Sequence, residues 1–81
     1  MIKVKIKCFS QVKYALGKNE IIMDLENGST TLELEQMIRD QGKDKLNDVS
    51  LRVAVNQKYV QDGIELKDGD EVAFIPPVQG G

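Results

Sequence analysis

The sequence predicts an α+β domain in which one mixed sheet is packed on one side by a single main helix. Three observations carry this. Period-two alternation of apolar and polar residues marks strands near both ends of the chain. A capping sequence followed by an apolar stripe of helical period marks one helix between them. The length of 81 residues allows one domain only, and a chain this short buries only about 60% of its unfolded surface, so its core is thin.

The elements follow in order. Residues 2–9 alternate, with Ile2, Val4, Ile6 and Cys8 on one face and Lys3, Lys5 and Lys7 on the other, which predicts a half-buried strand. Over 10–17 the period changes: Val12, Ala15 and Leu16 share a helical face, Ser10 is a candidate cap and Gly17 a candidate stop. Residues 20–26 alternate again, with Ile21, Met23 and Leu25 inward, and are expected to pair antiparallel with the first strand. Thr30-Thr31-Leu32-Glu33 fits a capping box for the main helix, whose stripe is Leu34, Met37 and Ile38 and which Gly42 ends. Residues 43–48 form a polar loop anchored by Leu46. A third strand spans 50–56, with Leu51, Val53 and Val55 inward. Asn56-Gln57 turns the chain into a short strand at Tyr59-Val60, and Asp62-Gly63 and Asp68-Gly69 are further turns. The last strand, 70–75, places Val72 and Phe74 inward and Ala73 and Ile75 outward. Pro76-Pro77 ends its ladder, because proline donates no backbone N–H.

Composition excludes several functions. Hydrophobic residues at 41% and charged residues at 30% place the chain among globular domains rather than disordered segments. A net charge of −2 argues against a nucleic-acid partner. No apolar run approaches the length of a membrane span, and no leader pattern opens the sequence, so neither membrane insertion nor secretion is expected. Histidine is absent, which removes the commonest general acid/base and the histidine-dependent nucleophile systems. One cysteine permits neither an internal disulfide nor a thiolate zinc site. These features point to a cytoplasmic protein with no bound cofactor or metal that is not a self-sufficient enzyme.

The chemistry is expected in the last residues. Residues 1–77 are read as the domain and 78–81 as a tail. Pro76-Pro77 stiffens the exit, and the four residues after it reach about 13 Å when extended. Gly80 and Gly81 lack Cβ and can thread a narrow channel. A terminal carboxylate is a poor electrophile, and joining it to AMP gives it a good leaving group. Cys8, in contrast, alternates with Ile6 and Val4 and reads as a small core residue rather than a sulfur carrier. Ala54, Ala73 and Ile75 fall on the outward face of their strands. If those strands are neighbours, the three form an uncharged patch at the root of the tail and a candidate partner surface. The acidic stretch 62–71 and the lysines of the first 18 residues suggest either charge pairing between strands or steering of a partner.

The order of elements with a protruding Gly-Gly end resembles the β-grasp, ubiquitin-like fold. Val55-Asn56-Gln57, with the run from Leu66 through Asp68-Gly69-Asp70-Glu71-Val72-Ala73-Phe74-Ile75-Pro76-Pro77-Val78 to Gly80-Gly81, is similar to the small-subunit family of molybdopterin synthase. The resemblance implies a sulfur carrier for molybdenum-cofactor synthesis. An adenylating enzyme uses ATP to form an acyl-AMP on Gly81, and a sulfur donor protein converts it to a thiocarboxylate. The tail then enters a large subunit, and sulfur passes to cyclic pyranopterin monophosphate to build the dithiolene. It further implies a heterotetramer of two small and two large subunits, with Gly80 giving the tail passage. Ile75, Ala73, Ala54, Pro76, Pro77 and Val78 are then expected to meet the partner. This chain would hold the reactive atom, and the large subunit the active site. Relatives that supply sulfur for thiamine, cysteine or tRNA thiolation, ubiquitin-like modifiers that form isopeptide bonds, and a binding module with an inert tail are the alternatives.

Overall fold

A computed structural model describes residues 1–76. The expectations placed on Pro77, Val78, Gly80 and Gly81, and the division at residue 77, lie outside the described residues.

Five strands form one mixed sheet in the order β2-β1-β5-β3-β4. They are β1 (Ile2–Cys8), β2 (Glu20–Leu25), β3 (Arg52–Val55), β4 (Lys58–Tyr59) and β5 (Glu71–Ile75). β1 pairs antiparallel with β2 and parallel with β5, and β3 pairs antiparallel with both β5 and β4. Both expected neighbour relations, first strand with second and third with last, are present. The alternation decides which face is covered. Val4, Ile6, Cys8, Val53, Val72 and Phe74 are buried on the inner face. They pack against Val12 of α1 (Ser10–Leu16), Leu34 and Ile38 of α2 (Thr31–Gly42), and Leu46 and Leu66 from the connections. Each such side chain contributes about 1.5–3 kcal/mol when fully buried.

The start of α2 is capped reciprocally. The Glu33 amide donates to Thr30 Oγ1 at 3.4 Å, and the Thr30 amide donates to Glu33 Oε1 at 3.1 Å. The start of α1 differs from expectation. Phe9, not Ser10, occupies the capping position, and no side chain caps it. β1 hands over to the helix without a spacer, so the Phe9 carbonyl itself accepts from Val12 and Lys13. Gly17 closes α1 with φ +72, in the left-handed region that favours glycine.

Other boundaries also move. Gly42 is the last helical residue of α2, with ordinary right-handed dihedrals. The chain turns at Lys43 and continues as a short 3-10 helix, Lys43–Leu46, where a polar loop was expected. Leu46 is nonetheless the buried anchor. Met37 belongs less to the core than its place in the stripe implied. It is 39% exposed, while Thr31, Leu34, Ile38 and Gly42 form the covered face. Thr31 is buried because its Oγ1 accepts from the Gly63 amide at 2.8 Å, which satisfies the hydroxyl. β4 starts one residue before the expected position, since the Asn56-Gln57 turn has positive φ at both residues and needs nothing more.

Candidate functional site

The outward face of the sheet is built from pairing registers alone. Glu20 pairs with Lys7, Lys7 with Ala73, Ala73 with Ala54, and Ala54 with Tyr59. One row of side chains thus crosses all five strands, with two alanines at its centre. In the neighbouring row Arg52 pairs with Ile75, beside the point where the chain leaves the sheet. The small side chains leave a hollow, an open concavity of about 660 Å³. Its floor is Ala54 and Ala73, and Phe9, Lys13, Tyr59 and Ile75 are among its walls.

Ala54, Ala73 and Ile75 are therefore brought together as expected. Their exposure is lower than a free outward patch implies. Ala54 is only 6% exposed, and Ala73 and Ile75 are half-buried. The reason is the length of the flanking side chains: a methyl between larger neighbours is shaded by them. Pro76 is buried too, so its ring anchors the exit and offers little surface. The accessible apolar contacts around the hollow are instead Phe9, 46% exposed, and Tyr59, 58% exposed. Both went unrecognised from the sequence. Phe9 follows inward-facing Cys8, so alternation alone could have placed it outward. Tyr59 could be placed opposite Ala54 only with the hairpin register known.

Two cations on this face are held in fixed positions. Lys7 Nζ donates to Glu20 Oε2 at 3.0 Å. That hydrogen bond, and then the opposite charge of each partner, raises the lysine pKa and lowers the glutamate pKa. The guanidinium carbon of Arg52 lies 4.4 Å from the centre of the Tyr59 ring, a cation–π contact. Cys8 points the other way, is 4% exposed, and burial pushes its thiol pKa up. A buried thiol held protonated is a poor nucleophile, which fits a core residue.

The acidic stretch serves the backbone rather than lysine side chains. Asp68 Oδ1 accepts from the Lys3 amide at 2.8 Å, and Asp70 Oδ2 accepts from the Lys67 amide at 2.8 Å. Asn56 donates from Nδ2 to Asp70 Oδ1 at 3.1 Å and accepts from the Glu71 amide at 3.1 Å. These bonds tie the β3–β4 turn and the entry to β5 together, and they set where β5 delivers the chain. Among the described residues the ion pairs are Lys7–Glu20 and Arg39–Glu35; the acidic stretch forms none with the early lysines, although Glu71 stands opposite Lys5 in register and its charge adds to that of Glu20 in raising the Lys7 pKa. Among the same residues no group of three or more His, Cys, Asp or Glu could hold a metal ion. No described helix is long and apolar enough to cross a membrane.

The helix-backed mixed sheet in the order β2-β1-β5-β3-β4 is the β-grasp of the ubiquitin-like class of small proteins. The chain belongs to the ThiS family, whose model matches residues 6–81. A molybdopterin synthase sulfur carrier subunit from Dictyostelium discoideum is 40% identical, over 95% of this chain and 94% of the relative. One from Chlamydomonas reinhardtii is 37% identical, over 99% and 100%. A solved structure from Pyrococcus furiosus, assigned as subunit 1 of a molybdopterin converting factor, superposes with a TM-score of 0.85 at 31% identity, covering 96% of this chain and all of that one. The complex of subunits 1 and 2 of the molybdopterin-converting factor from Helicobacter pylori contains a chain of the same fold. Its TM-score is 0.69 at 23% identity, with 99% and 100% covered.

Proposed function

We propose that this chain is the sulfur carrier subunit of a molybdopterin synthase. The observation that carries the reading is the match, along nearly the whole chain, to relatives named for that role. Gly81 is the reacting residue. Its carboxylate attacks the α-phosphorus of ATP on an activating enzyme, and pyrophosphate leaves. The terminal sulfur of a persulfide on a donor protein then displaces AMP, and a thiol cleaves the resulting acyl disulfide, leaving a thiocarboxylate on Gly81 and a disulfide on the donor side. Inside the large subunit the sulfur passes to cyclic pyranopterin monophosphate, and two deliveries complete the dithiolene. The assembly is a heterotetramer of two carriers and two large subunits, working in the cytoplasm.

The domain's part is to present the tail. A channel too narrow for a Cβ requires Gly80 and Gly81, while Ala54, Ala73 and Ile75, with Pro77 and Val78, meet the wall around its mouth and buried Pro76 anchors the exit. Phe9 and Tyr59 widen that contact. The test is intact-mass analysis of the full chain after incubation with ATP, the activating enzyme and a sulfur donor. Replacement of one oxygen by one sulfur at Gly81, lost when Gly81 is deleted, is the expected result. A ladder of conjugates on target lysines, with no thiocarboxylate, identifies a protein modifier instead. Normal molybdopterin production by the truncated chain overturns the reading.

A further inference from the structure

The chain has two arginines, at 39 and 52, and they are used in opposite ways. Arg39 is consumed internally: it pairs with Glu35 and donates to the Leu46 and Val49 carbonyls. Arg52 has no carboxylate partner among the described residues, yet it is not loose. It is exposed, and its guanidinium is held over the Tyr59 ring. A guanidinium stacked by its face keeps its in-plane N–H donors available to a planar anion. The Arg52 backbone pairs with Ile75, so a preset cation stands beside the last apolar residue before the exit.

We propose that Arg52, oriented by Tyr59, is a partner-specificity residue that receives a carboxylate of the large subunit beside the apolar surface covering Ile75. The inference rests on the sulfur-carrier reading. The chain beyond Pro76 supplies at most five residues before the reacting carbon, about 17 Å fully extended. A protein that takes Gly81 into an active site therefore covers the rim on which Arg52 stands. Covering an unpaired guanidinium with apolar surface is costly, because the charge loses water and gains nothing. A carboxylate at that place converts the cost into a directed hydrogen-bonded pair, and a partner lacking one is rejected. Lys7 on the far side of the face carries no such demand, since Glu20 already answers it.

The experiment is calorimetric titration of the full-length carrier into the large subunit, from low to high salt. It uses wild type, Arg52→Gln, Arg52→Lys, Tyr59→Leu and Ile75→Asp, with unfolding midpoints for each. Arg52→Gln is expected to weaken binding at least fivefold, about 1 kcal/mol, and to flatten the salt dependence while the midpoint holds. Arg52→Lys recovers the salt dependence but not the affinity, and Tyr59→Leu weakens binding with the salt dependence kept. Wild-type affinity and salt dependence in Arg52→Gln overturn the proposal. So does weakened binding with unchanged salt dependence and a lowered midpoint, which makes Arg52 structural. A carrier dimer in sedimentation that Arg52→Gln dissociates assigns the pair to a second copy and also overturns it. Ile75→Asp separates the two readings. If it alone weakens binding, the docking face stands and the role of Arg52 falls. If it too binds normally, the face itself is misplaced.

Discussion

A Cβ built on Gly42 would lie 2.7 Å from Cδ1 of Leu46 and 3.0 Å from its Cγ. The helix end and the buried anchor of the following turn thus occupy adjoining space, and glycine is needed for closeness rather than for unusual dihedrals. Ala15 of α1 stands 3.4 Å from the same point, so the contact joins both helices to the turn. Leu46 is fully buried and cannot swing into solvent to make room.

Gly42→Ala is accordingly expected to destabilise the domain, although alanine favours helix by up to about 1 kcal/mol. Forcing a methylene into packed space costs typically 1–3 kcal/mol, leaving a net loss of about 1 kcal/mol. Urea unfolding of the variant measures it. A higher midpoint than wild type would mean that Leu46 relaxes freely. The paired variant Gly42→Ala with Leu46→Val, which removes the obstructing methyl, is expected to show a smaller penalty than the sum of the single changes.

The strands and the α2 cap were legible because both are local patterns. Ile2-Val4-Ile6-Cys8 needs only alternation, and Thr30 with Glu33 needs only their spacing. The contacts of Gly42 and Arg39 were not legible for the opposite reason. Gly42 looked like a helix stop because glycine usually is one, and the atom that excludes a side chain there belongs to a turn folded back on itself. Arg39 sits on the helix as an ordinary i,i+4 partner of Glu35, while its donors bind carbonyls at 46 and 49 that only the 3-10 helix brings within reach. The candidate site divides the same way. Alternation assigned Ala54, Ala73 and Ile75 to the outer face, but their shading depends on Tyr59 and Phe9, whose positions follow from strand order and register.

Cys8 provides a second prediction. Burial raises its thiol pKa, so little thiolate forms near neutral pH. The native protein should react with an alkylating agent far more slowly than the unfolded chain. Cys8→Ala should load sulfur at the tail normally and lose on the order of 1 kcal/mol of stability as a small core truncation. Loss of loading in a folded Cys8→Ala protein would return the thiol to the chemistry.

The Lys7–Glu20 pair fixes a pH dependence with a definite sign. The glutamate pKa is lowered in the folded chain by the hydrogen bond from Lys7 and its charge. Its contribution is therefore present above the ordinary glutamate pKa and is lost as pH falls through the lowered value. The lysine pKa is raised by the same bond, so its contribution is present below the ordinary lysine pKa and is lost as pH rises through the raised value. Between about pH 5 and 10 the pair is complete. NMR titration should find the Glu20 carboxyl shifting toward its ordinary value in Lys7→Met. Because both side chains are well exposed, stability should change little, and added salt should shrink the shift. A Glu20 titration indifferent to Lys7→Met would show that the pair does not persist in solution.

Ile75 provides the most direct test of the docking face. It is half-buried in the free chain, stands across from Arg52, and is followed by buried Pro76. Full burial of an isoleucine side chain is worth about 1.5–3 kcal/mol, and roughly half of that remains to be gained when a partner covers it. An aspartate at this position loses that gain and adds a charge to be desolvated. Ile75→Asp should therefore weaken binding to the large subunit and to the activating enzyme at least tenfold, about 1.4 kcal/mol each. The half-buried position also predicts a modest loss of stability, smaller than for Phe74 or Val72, which are fully buried on the other face. Affinity for each partner and the unfolding midpoint should be measured on the same preparation. A midpoint that collapses while affinity holds would show that Ile75 supports the fold and that partners dock elsewhere. A midpoint near wild type with both affinities lost places Ile75 at the contact that positions Gly81 for reaction.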